Sequence, residues 1–134
     1  MANKVTAYNA KDCTISVKNV YITGLGEDMV SGEKDEDYIN PVTGAQGDVI
    51  VNEVNSTLGQ VTITIQPTSP QKSFLMGLRK TTTPFPVYVT NKALKERFGG
   101  SQARLLSAPA MDRGAEASDM EFVFKVFDYD VEPI

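Results

Sequence analysis

The clearest signal in the chain is period two. Cys13-Thr14-Ile15-Ser16-Val17 alternates as a half-buried strand should, and Val20-Tyr21-Ile22-Thr23 resumes after only Lys18-Asn19. That spacing predicts a tight hairpin in which Asn19 tolerates positive φ. Asp48–Asn55 and Gln60–Gln66 read as two further strands joined by Ser56-Thr57-Leu58-Gly59, so they are expected to pair antiparallel. In the second, Val61, Ile63 and Ile65 share one face, while Gln60, Thr62, Thr64 and Gln66 share the other. Ser69-Pro70 opens the one amphipathic helix, about residues 70–80, which places Phe74, Leu75 and Leu78 inward and Lys72, Arg79 and Lys80 outward. Phe85–Thr90 is extended, and Pro86 predicts that it lies at a sheet edge. Lys92–Phe98 has room for one helical turn closed by Gly99-Gly100, and Ala103–Ser107 is a short strand. The last strand runs from Met120 to Val131. Its apolar parity flips after Val126, as at a β-bulge or a move between sheets.

Between Gly24 and Gly47 the alternation stops. This segment is far longer than the four to six residues that ordinarily connect elements, so it predicts an extended hairpin or a functional loop. It is strongly acidic, carrying Glu27, Asp28, Glu33, Asp35, Glu36 and Asp37. Residues 1–12 are polar and read as an N-terminal arm. Together these elements predict one mainly β domain over residues 1–134: an antiparallel β-sandwich or barrel of six to eight strands, one flanking α-helix and a long extended loop. With 134 residues the chain has room for a real core and about 7,000 Å² of folded surface.

Composition narrows function mainly by what is missing. There is no histidine, so the commonest general base and metal ligand is absent, and no tryptophan to act as a stacking platform. A net charge of −4 gives a poor grip on nucleic-acid phosphates. The single cysteine, Cys13, cannot form an intramolecular disulfide and reads as a small core residue. No apolar run approaches a bilayer span, and no apolar leader follows Met1, so neither a membrane anchor nor a signal peptide is expected.

The remaining chemical candidates are thin. Asp35 and Asp37 lack the glycine and terminal glutamate of a calcium loop, so the acidic run reads as a solvated or partner-facing loop. Gly24-Leu25-Gly26 has no third glycine and no following helix, which leaves it as a strand terminus. Serines and threonines have no histidine to activate them. Asp128 and Asp130 share a strand face, but read as a solvated strand end rather than as a carboxylate pair for catalysis. Catalytic residues, cofactor and metal are therefore all expected to be absent. Lys92, Lys95, Arg97 and Arg104 form a basic group that is either a solvated turn or a surface for the acidic loop of another copy. Unpaired strand edges and complementary charge suit a subunit that associates head to tail.

Several runs resemble a known family. They are Ile22-Thr23-Gly24-Leu25-Gly26-Glu27-Asp28-Met29-Val30, Glu33-Lys34-Asp35-Glu36-Asp37, Gly44-Ala45-Gln46-Gly47-Asp48-Val49, Ile63-Thr64-Ile65-Gln66-Pro67-Thr68-Ser69-Pro70 and Phe122-Val123-Phe124-Lys125-Val126-Phe127-Asp128-Tyr129. In length and order they resemble the tail tube proteins of long-tailed bacteriophages, shared with phage-tail-like bacteriocins. The resemblance implies a β-sandwich or barrel that forms hexameric rings, stacked into a hollow tube through which viral DNA passes without sequence-specific binding. It implies that the partners are the chain itself and the sheath, baseplate and tape-measure proteins. It also implies a place in the virion tail, after assembly in the host cytoplasm. Glu27, Asp28, Met29, Val30, Glu33, Lys34, Asp35, Glu36, Asp37 and Tyr38 become candidates for contacts between subunits or rings, with Lys92, Lys95 and Arg97 opposite them. Asn52, Glu53, Gln60, Thr62, Thr64 and Gln66 become lumen candidates, although bulk solvent explains such a polar row equally well. A baseplate, hub or tail-terminator protein of the same lineage is the alternative, and a ligand-binding β-sandwich is the next.

Overall fold

The computed structural model describes residues 4–134; the first three residues of the expected arm lie outside that range. Ten strands are present: β1 (Cys13–Val17), β2 (Val20–Tyr21), β3 (Leu25–Lys34), β4 (Ile39–Thr43), β5 (Val49–Glu53), β6 (Gly59–Ile65), β7 (Phe85–Asn91), β8 (Glu96–Ser107), β9 (Met120–Val126) and β10 (Asp130–Pro133). All pair antiparallel. Eight of them make one sheet in the order β2-β1-β7-β8-β9-β6-β3, with β10 beside β8, while β4 and β5 form a separate two-stranded sheet. The mainly β, antiparallel architecture with one helix matches the expectation from the sequence.

The β1–β2 hairpin turns at Lys18 and Asn19, both with positive φ (51° and 65°), the geometry that a two-residue turn between twisted strands requires. The helix α1 (Lys72–Gly77) is followed by a 3-10 turn, Leu78–Lys80. It starts two residues after Pro70. The Ser69 hydroxyl donates to Thr23 O (2.6 Å) and so ties the start of the helix to the end of β2.

The sheet rolls over on itself because its strands change direction at small residues. β8 pairs β10 through Glu96–Gly99 and β9 through Ala103–Ser107, so β9 and β10 lie end to end along one strand. The step between them is the parity flip visible in the sequence. Gly99 sits at the fold of β8 with φ 125°, and a Cβ there would lie 2.0 Å from Val87 O, so only glycine admits this close approach. The roll brings β3 over β8, and the ring of Tyr129 is buried between Gly59 of β6 and Gly32 of β3. Ile15, Val17, Val61, Ile63, Ile65, Leu75, Val87, Phe122 and Phe124 fill the interior, with Phe85 edge-on to Phe124 at 6.1 Å.

Four expectations are corrected. First, Asp48–Asn55 does not pair with Gln60–Gln66. β5 pairs β4, and β6 pairs β3 and β9. The Ser56–Leu58 link is therefore not a hairpin turn but the return path of a longer excursion. Second, Phe85–Asn91 is an interior strand between β1 and β7's other neighbour, β8. Pro86 is tolerated because the β7–β8 register slips between Phe85 and Val87, and its carbonyl still accepts from Lys18 N (2.8 Å). Third, Lys92–Phe98 contains only a turn, in which Asn91 Oδ1 accepts from Leu94 N (3.1 Å), before Glu96 enters β8. Fourth, Asp128 is not a solvated strand end. Its carboxylate accepts from Ser101 N (3.1 Å), the Ser101 hydroxyl and Gln102 N (2.9 Å), clamping the step between β9 and β10.

Candidate assembly interface

The hairpin β4–β5 is the outstanding feature of the surface. Cross-strand partners Val42–Ile50 and Pro41–Val51 put apolar side chains on both of its faces, and the first face also carries Asn40 opposite Asn52. Every residue of both strands is exposed, including Ile50 at 68% and Val49 at 56%. A strand as apolar as Val49-Ile50-Val51 is normally buried on at least one side. The chain as a whole exposes 9210 Å², against about 7,000 Å² for a compact monomer of this size. The exposed residues 4–12, the loop before β9 and this projecting hairpin all contribute to the excess.

The stem of the excursion is fixed to the body. Lys34 Nζ donates to Glu36 O and Ser56 O (both 2.9 Å) and lies 5.2 Å from the centre of the Tyr38 ring. Asp35 N donates to Leu58 O (3.0 Å), its carboxylate pairs with Lys125 on β9, and Val54 N donates to Tyr38 O (3.0 Å). The hairpin thus leaves the body at a set place.

The candidate contact residues divide. Glu27, Asp28, Met29 and Val30 lie where β3 slips register between Leu25 and Val30, with the two acids exposed. Glu33 and Lys34 close β3, and Asp35, Glu36, Asp37 and Tyr38 are the outgoing stem. Lys92 and Lys95 are exposed on the β7–β8 turn, but Arg97 is engaged within the chain, bonded to Glu132 (2.6 Å) and 5.1 Å from the centre of the Tyr88 ring. No salt bridge joins the acidic stem to these cations among the described residues.

The lumen candidates also divide. Gln60 and Thr62 share the outward face of the β3–β6–β9 sheet with Ser31, Glu33, Val123 and Lys125. Thr64 is 8% exposed, because Gly26 and Asp119 cover it, and Gln66 is exposed beyond the strand. Asn52 and Glu53 belong to the hairpin and cannot extend that face. The sequence reads Asp48–Asn55 as a strand, which β5 bears out, but does not single out its apolar residues as a contact surface. The signal for that surface was present in the absence of a polar face to Val49-Ile50-Val51, which a half-buried strand would have had.

Among the described residues no three Cys, Asp or Glu side chains are grouped so as to hold a metal ion, and no helix is long and apolar enough to cross a membrane. Cys13 packs against the core, where burial, with Glu96 nearby, pushes its thiol up. For Asp128, partial burial pushes the carboxyl up, but its bonds from the Ser101 hydroxyl and the Gln102 and Ser101 N–H groups prevail and hold it below the ordinary carboxylate range.

The body is thus a rolled antiparallel sheet from which an uncovered apolar hairpin projects. The chain belongs to the family of the bacteriophage PhiTE tail tube protein, whose family model matches residues 6–97. No sequence among the curated proteins matches it. Its fold is shared with the tube-terminating cap of the anti-feeding prophage, at 9% identity and a TM-score of 0.69 over 99% of this chain and 97% of that one. It is similar also to a chain of the PVC extracellular contractile injection system's sheath–tube complex (15% identity, TM-score 0.63, 96% and 93% covered). The same system's sheath/tube terminator aligns at 14% identity with a TM-score of 0.62, covering 96% and 98%.

Proposed function

We propose that this chain is the tube subunit of a phage tail or tail-like particle, forming six-membered rings that stack into a hollow tube for the passage of DNA. The exposed apolar hairpin is the observation that carries this reading, since only another protein chain can cover both of its faces. Tube membership in the family supports a purely structural, non-catalytic role in the tail, after assembly in the host cytoplasm. The outward face bearing Gln60, Thr62, Ser31 and Glu33 is the lumen face that best suits a duct for DNA, because its one cation, Lys125, is paired with Asp35 and the other groups are neutral or acidic. The exposed Arg79 and Lys80 suit a sheath, and the ring faces suit baseplate and tape-measure proteins.

A second reading is favoured by a specific observation: two of the structural neighbours are a cap and a terminator. Such a subunit forms a ring that stacks on one side only.

Negative-stain microscopy of concentrated protein separates these. Hollow tubes of uniform width support the tube subunit, discrete single or double rings the terminator, and monomers at all concentrations neither. Replacing residues 39–53 with a short Gly/Ser linker is expected to abolish stacking while leaving the melting temperature within a few degrees, since no core residue is touched.

A further inference from the structure

Where β1 begins, β7 ends and β8 begins, one terminal rung of the sheet borders a pocket. Cys13 pairs with Asn91 and Asn91 with Glu96, so the three side chains share a face. The next rung on that face, Ile15, Val89 and Phe98, runs into the core. Val89 and Phe98 floor a pocket of about 290 Å³, with Glu27 and Met29 of β3 as a further wall and the exposed Tyr8 and Leu94 at its rim. The mouth of a rolled sheet is a common place for a small ligand, and this volume lies at the small end of such sites.

Two features of the lining ask for a partner. Asn91 is only 5% exposed, and its Oδ1 accepts from Leu94 N (3.1 Å). Only the oxygen of an amide can meet an N–H, so this bond fixes the orientation and leaves Nδ2 as the other group. That Nδ2 has no acceptor among the described residues, and a buried donor without one is costly. Glu27 and Glu96 are the second feature. Neither belongs to a salt bridge among the described residues, and no lysine or arginine lines the pocket. Burial and then the charge of Glu96 push the Cys13 thiol up, so the field of that carboxylate reaches the pocket wall.

We propose that this pocket binds a small aliphatic amine that also carries an acceptor oxygen, as an amino alcohol does. The ammonium is drawn to Glu27 and Glu96, the oxygen accepts from Asn91 Nδ2, and the alkyl chain covers Met29, Val89 and Phe98. Other ligand classes leave a group unanswered. An anion is repelled by both carboxylates, a plain alcohol leaves them without a counter-charge, and a plain amine leaves Asn91 without an acceptor. A metal ion lacks its ligands, since no three acidic or thiol groups are gathered to hold one among the described residues.

The test uses dilute, unassembled chain, so it stands apart from the tube reading. Cys13 is the only thiol and lines the pocket, so its alkylation by the neutral reagent iodoacetamide reports occupancy. Straight-chain aminopentanol, pentylamine and pentanol are compared at one pH and one ionic strength. Aminopentanol is expected to slow the alkylation, pentylamine to need about fivefold more for the same protection, and pentanol to give none. Glu27→Gln and Glu96→Gln, both at exposed positions, should each raise the half-protecting concentration of aminopentanol about threefold. Rates with and without amine are compared within each variant, because Glu96→Gln also changes the free thiol. The side-chain amide resonances of Asn91 supply a readout independent of the thiol: they should move with aminopentanol and stay in place with pentylamine. Absence of protection by aminopentanol overturns the site. Equal protection by pentanol, or protection that survives both glutamate substitutions, reduces it to an apolar hollow and overturns the amine. An Asn91 amide that does not respond overturns the oxygen contact.

Discussion

β5 and β6 are neighbours in sequence and opposites in circumstance. Gln60-Val61-Thr62-Ile63-Thr64-Ile65 alternates, and its apolar row is completely buried in the sheet core. Val49-Ile50-Val51 is the more hydrophobic run, yet all three residues are half or more exposed. Hydropathy therefore states that a strand needs cover, and topology decides whether that cover comes from the same chain. β6 has β3 and β9 on its two sides. β5 has only β4, and a two-stranded ribbon cannot bury both of its own faces. The body should thus respond to substitution through stability, and the hairpin through association.

The largest effect should come from the body. Phe124→Ala removes a fully buried ring that meets Phe85 edge-on and is expected to cost about 3–5 kcal/mol, a large part of the total stability of a single domain. Urea unfolding of dilute, unassembled protein measures it. A loss below about 1 kcal/mol would mean that the rolled sheet repacks freely, and the body would then not be the rigid platform that the hairpin requires.

A middle-sized effect is expected at the step between β9 and β10. Asp128→Ala removes the acceptor for three donors on Ser101 and Gln102, at a cost of about 1–2 kcal/mol once solvent screening is allowed for. The same group sets a pH dependence. Because the folded carboxyl titrates below its ordinary value, its contribution is fully present above about pH 4, the unfolded range, and is lost as pH falls through the folded value. Urea midpoints of wild type and variant should converge as pH falls below the folded carboxyl's own range. An unchanged gap between them in acid would assign the loss to something other than the charge.

The alternating strands, the Lys18-Asn19 turn, the helical segment and the parity flip after Val126 were legible because each is encoded locally. The pairing of β5 was not. A short link containing Gly59 normally closes a hairpin, and nothing near it in sequence says that Asp35 N and Leu58 O have already closed the gap from the other side. The position of Pro86 was misread for a related reason, since a register slip in β7–β8 admits proline within a sheet and is invisible without the partner strand. Candidate contact residues were found through charge, so the acidic stem stood out. The apolar hairpin, whose exposure is a property of topology, passed as an ordinary strand.

The smallest expected change in stability is the one that sharpens the comparison most. Ile50→Asn replaces a side chain already 68% exposed in the free chain, so the unassembled protein should keep its unfolding free energy within about 0.5 kcal/mol. Asparagine is a poor strand former, but the hairpin's unfolding is local and leaves the core untouched. Association should nevertheless fail, because an amide in a dry apolar contact costs free energy that no hydrogen bond recovers. Light scattering of variant and wild type at matched concentration reads the second effect, and thermal melting of dilute samples the first. If the melt instead shifts by the 2 kcal/mol or so that burying a large apolar side chain involves, Ile50 is covered by its own chain in solution and the contrast between β5 and β6 collapses. A stable variant that still stacks would place the contact between copies on the acidic stem rather than on the apolar ribbon.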